Sequence, residues 1–163
     1  MAAQEYKDAR RLAAPCGLYC GACSIRAAVS RNDAQLMQQI ADGLALYLGH
    51  PVGVEDMHCD GCLSGVRAAP CRECEIRDCA TAKGVDRCSG CPDFPCKLIT
   101  DFNNDGLAHH SEVLDNIRRQ QEVGTDAWLE EQAQRWRCPQ CGRSNDWYSS
   151  HCASCGADID DHF

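Results

Sequence analysis

Large apolar residues are sparse along this chain, and where they recur they do so with helical spacing. Between Arg31 and His50, Leu36, Met37, Ile40, Leu44, Tyr47 and Leu48 repeat every three to four positions behind Asn32 and Asp33, either of which can cap; the pattern predicts an amphipathic helix. Val113, Leu114 and Ile117 after Ser111, then Trp128, Leu129 and Trp136 after Thr125, predict two further helices separated at Gly124. Both tryptophans read as core anchors, because large aromatics dominate small interiors. A short helix from Cys96 to Phe102 is expected after the linker Asp93-Phe94-Pro95, whose proline fixes φ and whose phenylalanine can shield neighbouring sulfurs from solvent. His109-His110, with no cysteine nearby, reads as solvated helix surface.

Elsewhere between Pro15 and Cys96 the periodicity dissolves into cysteines, glycines and polar turns. Leu, Ile, Val and Phe together number 27 of 163 residues, whereas Ala contributes 20 and Cys 15. Small side chains bury little area, so hydrophobic transfer alone leaves such a chain marginal and cross-links must supply the rest. The thiol count is odd, and the polar stretch Met1 to Arg11 has no apolar signal-peptide core. Both features favour metal ligation in a reducing, cytoplasmic setting over a secreted disulfide framework. No stretch approaches the roughly 20 apolar residues of a membrane span. Net charge is −8, and each zinc held by four thiolates makes it more negative. Nucleic acid is therefore a poor partner and a protein partner the better expectation. Arg135 to Arg143 is the only basic stretch.

The terminal segment carries two knuckles of one form, Cys138-Pro139-Gln140-Cys141-Gly142 and Cys152-Ala153-Ser154-Cys155-Gly156. In each, two thiolates leave a tight turn and the following glycine permits positive φ, so that backbone N–H groups turn toward sulfur. Four such thiolates close a tetrahedral zinc shell with no open position, which is structural rather than catalytic zinc. Trp147-Tyr148 between the knuckles reads as packing.

The remaining eleven cysteines are Cys16, Cys20 and Cys23, then Cys59 and Cys62, then Cys71, Cys74 and Cys79, then Cys88, Cys91 and Cys96. The last two triads share one spacing at an offset of 17 residues, an internal repeat. One partition pairs Cys59, Cys62, Cys71 and Cys74 at one site and Cys79, Cys88, Cys91 and Cys96 at another. It leaves Cys16, Cys20 and Cys23 in want of a ligand, for which His58 is the nearest histidine. The Cys-x3-Cys-x2-Cys spacing matches that of radical enzymes built on a three-cysteine iron–sulfur site, but their partial barrel needs length and apolar strands this chain lacks. Thiolate-only sets serve zinc and plain iron–sulfur clusters alike, although turns such as Cys59-Asp60-Gly61-Cys62 and Cys88-Ser89-Gly90-Cys91 look more like zinc knuckles. No nucleophile–base pair, phosphate loop or dinucleotide fingerprint is present, so no catalytic residue is assigned and the balance leans away from an enzyme.

The strings Ala14-Pro15-Cys16-Gly17-Leu18-Tyr19-Cys20-Gly21-Ala22-Cys23, Cys59-Asp60-Gly61-Cys62, Cys74-Glu75-Ile76-Arg77-Asp78-Cys79 and Cys91-Pro92-Asp93-Phe94-Pro95-Cys96 together resemble the bacterial and archaeal family called domain of unknown function 3795. The likeness covers roughly residues 14 to 102. It implies a cysteine-rich, metal-binding protein of a kind frequent in anaerobes, with no established activity. The expected fold is a small metal-stapled α+β structure: irregular cysteine-rich loops with several helices, and a short β zinc ribbon. The expected organisation is a metal-binding body over 14–102, a helical bridge over 103–137 packing on it, the ribbon over 138–157 and an acidic tail over 158–163. The expected function is a zinc-binding interaction or regulatory module; the competing readings are an iron–sulfur redox or electron-transfer protein, and a metal or thiol sensor using Cys16, Cys20 and Cys23.

Overall fold

Among the described residues, six α-helices joined by loops and short 3-10 turns carry the architecture: α1 (Ser24–Ser30), α2 (Ala34–Leu48), α3 (Glu75–Ala82), α4 (Lys97–Asn103), α5 (Val113–Val123) and α6 (Thr125–Arg135). The computed structural model describes residues 9–160 and 163. Of the polar N-terminal stretch and the acidic tail, residues 1–8 and 161–162 lie outside the described ones. No helix among the described residues is long and apolar enough to cross a membrane.

The predicted helices form where capping and periodicity place them. Asp33 accepts a hydrogen bond from the Leu36 N–H at 3.0 Å and starts α2, which ends at Gly49 with φ of 73°. Ala41 is fully buried on Val52 and Met57, flanked by Ile40, Leu44 and Leu48. Tyr47 lies off the edge of that face and is 67% exposed. The pair α5 and α6 turns at Gly124, buries Val113 and Ile117 from one helix, and buries Trp128 from the other together with Trp136 just beyond it.

Those buried residues feed two apolar centres on either side of the segment Ala13–Ala22. Cys16 and Leu18 join Ile76 of α3, Ile99 of α4 and Val113 and Ile117 of α5 on one side; Tyr19 and Ala22 join Trp128, Leu129 and Trp136 on the other. Tyr19 meets Trp128 edge-on at 6.1 Å. Gly17 makes the turn within this segment at φ of 90°, and a Cβ there would lie 2.7 Å from Ile117 Cγ1, so α5 can approach only a glycine. Arg87 is buried and fastens the second repeat to this segment, donating to the Ala13 carbonyl at 3.2 Å and the Arg10 carbonyl at 2.9 Å. Next to it, the Cys88 N–H donates to the Pro15 carbonyl at 2.9 Å.

The two cysteine triads share a spacing but differ in structure. In the first, Cys74 caps α3 and Cys79 rides inside it; in the second, Cys96 caps α4, and Cys91 precedes a non-helical loop. Pro92 and Pro95 explain the difference, because neither supplies a backbone N–H and each biases its predecessor away from helix.

The expected α+β fold with a β zinc ribbon is corrected by the structure: the molecule is helical, with 50% helix and no β-strand among the described residues. Each terminal knuckle is closed by one antiparallel bridge, Arg137↔Ser144 and His151↔Asp158. Pairing cannot extend. On one side of the first bridge Trp136 ends α6, and on the other, once the Asn145 N–H has donated to the Trp136 carbonyl at 2.8 Å, Asp146 turns away to dock on the body.

Candidate metal centres

The two terminal knuckles have the same backbone geometry. The Cys138 N–H donates to the Arg143 carbonyl at 2.8 Å and Gly142 to Cys138 at 2.9 Å; the Cys152 N–H donates to Ala157 and Gly156 to Cys152, both at 2.8 Å. Gly142 and Gly156 have φ of 71° and 74°, the left-handed conformation that lets the chain reverse under its sulfurs. The four sulfurs of Cys138, Cys141, Cys152 and Cys155 all lie within 4.8 Å of one another, with Cys138–Cys155 and Cys141–Cys152 each at 3.6 Å. A tetrahedron of thiolates about 2.3 Å from a central ion has edges of about 3.8 Å. The donor set therefore fits a single thiophilic ion without rearrangement.

Backbone N–H groups already favour thiolates there. Those of Cys141 and Gln140 lower the Cys138 thiol, and those of Ser154 and Cys155 bring Cys152 down to about 6. The Ala157 N–H favours the Cys155 thiolate too, but desolvation and the sharing of protons with Cys141, Cys138 and Cys152 push it up to about 12. Four thiols this close cannot all ionise without a cation between them.

In the body, the second repeat gathers around Cys88. Cys79, Cys88, Cys91 and Cys96 line one cavity of about 20 Å³, whose other walls include Ile76, Val85, Phe94 and Ile99. Burial first, and then Cys91, Cys96, Cys79 and Cys74, push the Cys88 thiol up to about 11. Lys83 at the mouth reaches the Cys91 sulfur at 3.9 Å and is ion-paired with Asp93.

A first body group surrounds Cys62, which interacts with Cys20 on one side and Cys71 on the other. Hydrogen bonding to those two thiols, and then the charges of Arg77 and Arg67, hold the Cys62 thiol well below its ordinary value, while Cys20 and Cys71 are correspondingly raised. Cys23 faces Cys59, and burial brings its thiol up to about 11. The Cys59 turn is fixed by the Gly61 N–H donating to its sulfur at 3.4 Å and by Arg26 donating to its carbonyl at 2.6 Å.

The triad Cys16, Cys20 and Cys23 is thus spread rather than gathered. Cys20 and Cys23 turn to the first body group, while Cys16 is buried among apolar side chains between Cys62, Cys74 and Cys88, and burial drives its thiol well up. Cys74 lies between the two groups. Among the described residues, the terminal four are the only ligand atoms grouped within 4.8 Å, and exposed His58 is not among them.

The expected solvated helix surface at His109-His110 is corrected. The pair sits in a 3-10 turn, Ala108–His110, with His110 only 7% exposed, hydrogen-bonded to the Asp105 carboxylate at 2.7 Å and set against the Phe102 ring. His109 stacks on Trp147 at 4.3 Å and shares a hydrogen bond with the Tyr148 hydroxyl at 2.5 Å. Sequence reasoning also missed Asp146. This buried carboxylate accepts from Ser24 at 2.8 Å, Arg31 at 3.1 Å and Ser149 at 2.5 Å, and beside it the Trp147 N–H donates to Ala22. An aspartate between two knuckles carries no pattern that separates it from a turn residue.

The family model described as Protein of unknown function (DUF3795) matches residues 12–101, which contain all eleven cysteines of the body and end before α5. No curated protein and no solved structure matches the chain.

Proposed function

Since the chain belongs to that family, described only as a protein of unknown function, its role must be read from its own side chains, and we propose that it is a non-catalytic, metal-organised interaction or regulatory module whose terminal knuckles hold structural zinc. The observation that carries this is the set of four mutually adjacent sulfurs with 3.6 Å edges. Zinc is the ion of choice for an all-thiolate tetrahedron with no open position. Such a shell offers no coordination site to a substrate, and it ties the segment after α6 to the body through Asp146 and Trp147. The acidic balance, −8 before any thiolate is counted, favours a protein partner over nucleic acid.

The sensor reading of Cys16, Cys20 and Cys23 is disfavoured by burial, since Cys16 and Cys20 are 7% and 9% exposed and a reactive thiol needs access. Elemental analysis of the full chain tests the proposal: about one zinc per chain should vanish in Cys141→Ser and survive in Tyr47→Ser. A wild-type protein whose Cys138 and Cys152 alkylate as fast as a free thiol would sink it. Retardation of a duplex at physiological salt would overturn the choice of partner class.

A further inference from the structure

Cys79 of the first triad and the three cysteines of the second line a space that the terminal four do not. Thiolates about 2.3 Å from one ion leave no space between them for a water-sized sphere, because sulfur and water already touch at a greater separation. Cys79, Cys88, Cys91 and Cys96 instead line a cavity of about 20 Å³, when a single water occupies roughly 10–15 Å³ on that measure. No three of their sulfurs lie within 4.8 Å of one another. In a cubane cluster each thiolate binds a different iron, so the ligands stand around a body of inorganic atoms rather than around a point.

The surroundings suit that occupant. Neither carboxylate nor imidazole lines the cavity; apart from the sulfurs and Lys83 the walls are aliphatic or aromatic, which excludes a hard, hydrated cation. The ligands are anchored on separate rigid elements. Cys79 rides in α3, Cys88 opens a 3-10 turn with Cys91 just after it, and Cys96 caps α4, while Ile76 and Ile99 lock the two helices into one apolar centre. Lys83 donates toward the Cys91 sulfur at 3.9 Å, a contact that offsets the negative charge of a thiolate-held cluster, and Phe94 covers the sulfurs from the side.

We propose that Cys79, Cys88, Cys91 and Cys96 hold a four-iron, four-sulfide cluster. This site is separate from the terminal zinc and does not rest on it.

The test uses the full chain, purified without oxygen and offered ferrous and ferric iron in equal amounts together with sulfide, so that the mixed-valence cluster forms with no further oxidant. Wild type should gain iron and acid-labile sulfide in equal amounts, about four of each per chain, with a brown absorbance near about 400 nm. That absorbance should fall below about a tenth in Cys88→Ser and Cys96→Ser while zinc at Cys138–Cys155 is retained, and should persist in Cys141→Ser. Should the body variants fail to fold, alkylation mapping of loaded wild type decides: Cys79, Cys88, Cys91 and Cys96 should be protected and become reactive when iron is removed, with Cys20 and Cys62 unaffected. A colourless wild type holding only zinc overturns the proposal, as does colour that survives in both body variants or iron-dependent protection confined to the group around Cys62. Loss of terminal zinc with the chromophore intact would strike the zinc assignment and leave this one standing.

Discussion

The terminal knuckles bring together four cysteines from two Cys-x2-Cys turns, and the second triad with Cys79 brings together four of which only Cys88 and Cys91 share such a turn, yet the sulfurs converge in one group and stand apart in the other. At the terminus, two copies of one turn face each other and backbone N–H groups point the sulfurs inward to 3.6 Å. In the body, one turn is met by a cysteine from inside α3 and another at the start of α4. Two helices locked through Ile76 and Ile99 cannot close on a point, and the sulfurs surround a cavity instead. The local turn therefore supplies thiolates in pairs, and the elements that carry the second pair set the size of what they bind.

The strongest challenge to this contrast is removal of metal from both regions at once. Chelator at neutral pH should unfold body and terminus together, seen as loss of far-ultraviolet helix signal and of buried Trp128 and Trp136 fluorescence. Structural thiolate sites bind by about 10–16 kcal/mol, more than the whole stability of many domains. Helix signal that outlasts complete metal removal would show that the apolar centres suffice alone. Next in size, Cys141→Ser should abolish the terminal ion and order after Arg137 while the body keeps a single cooperative thermal transition; collapse of the whole chain would make the two regions one unit. Asp146→Ala removes the carboxylate that joins them, leaving Ser24 and Arg31 without their acceptor. It should cost about 1–3 kcal/mol in denaturant titration, with zinc content unchanged.

The smallest effect is electrostatic. Burial, and then neighbouring His110, bring His109 down from its ordinary 6.5 to about 4, so the folded state binds this proton less readily than the unfolded one. Its contribution to docking on Trp147 is present in full above pH 6.5 and is lost as pH falls toward about 4. An imidazole titration followed by nuclear magnetic resonance should give a midpoint near about 4 for His109, and an ordinary midpoint would show that the stack on Trp147 is not formed.

Much of the helical frame was legible from spacing alone. A cap at Asn32 or Asp33, Gly124 as the break between α5 and α6, the two tryptophans as anchors and the positive φ of the knuckle glycines all follow from local chemistry, and local chemistry reads directly from neighbouring residues; that Asp33 rather than Asn32 caps is seen only in the structure. The β ribbon was the failure. Knuckle spacing specifies a turn, whereas a strand also needs uninterrupted partners, and here the end of α6 and the Asp146 turn remove them. His110 was misjudged because its burial comes from Phe102 and Asp105, and no helical stripe announces either.

The cysteine spacing decided that this chain would present thiolates in turns, since a two-residue gap and a following glycine act within a few bonds. Which sulfurs share a neighbourhood was settled elsewhere. Cys20 meets Cys62 and Cys71, Cys16 is drawn into the apolar centre, and the two triads of one spacing diverge at Pro92 and Pro95 because helices distant in sequence pack on one another. Burial of Ile76, Ile99, Val113 and Ile117 fixes those distances, and no spacing rule along the chain contains them.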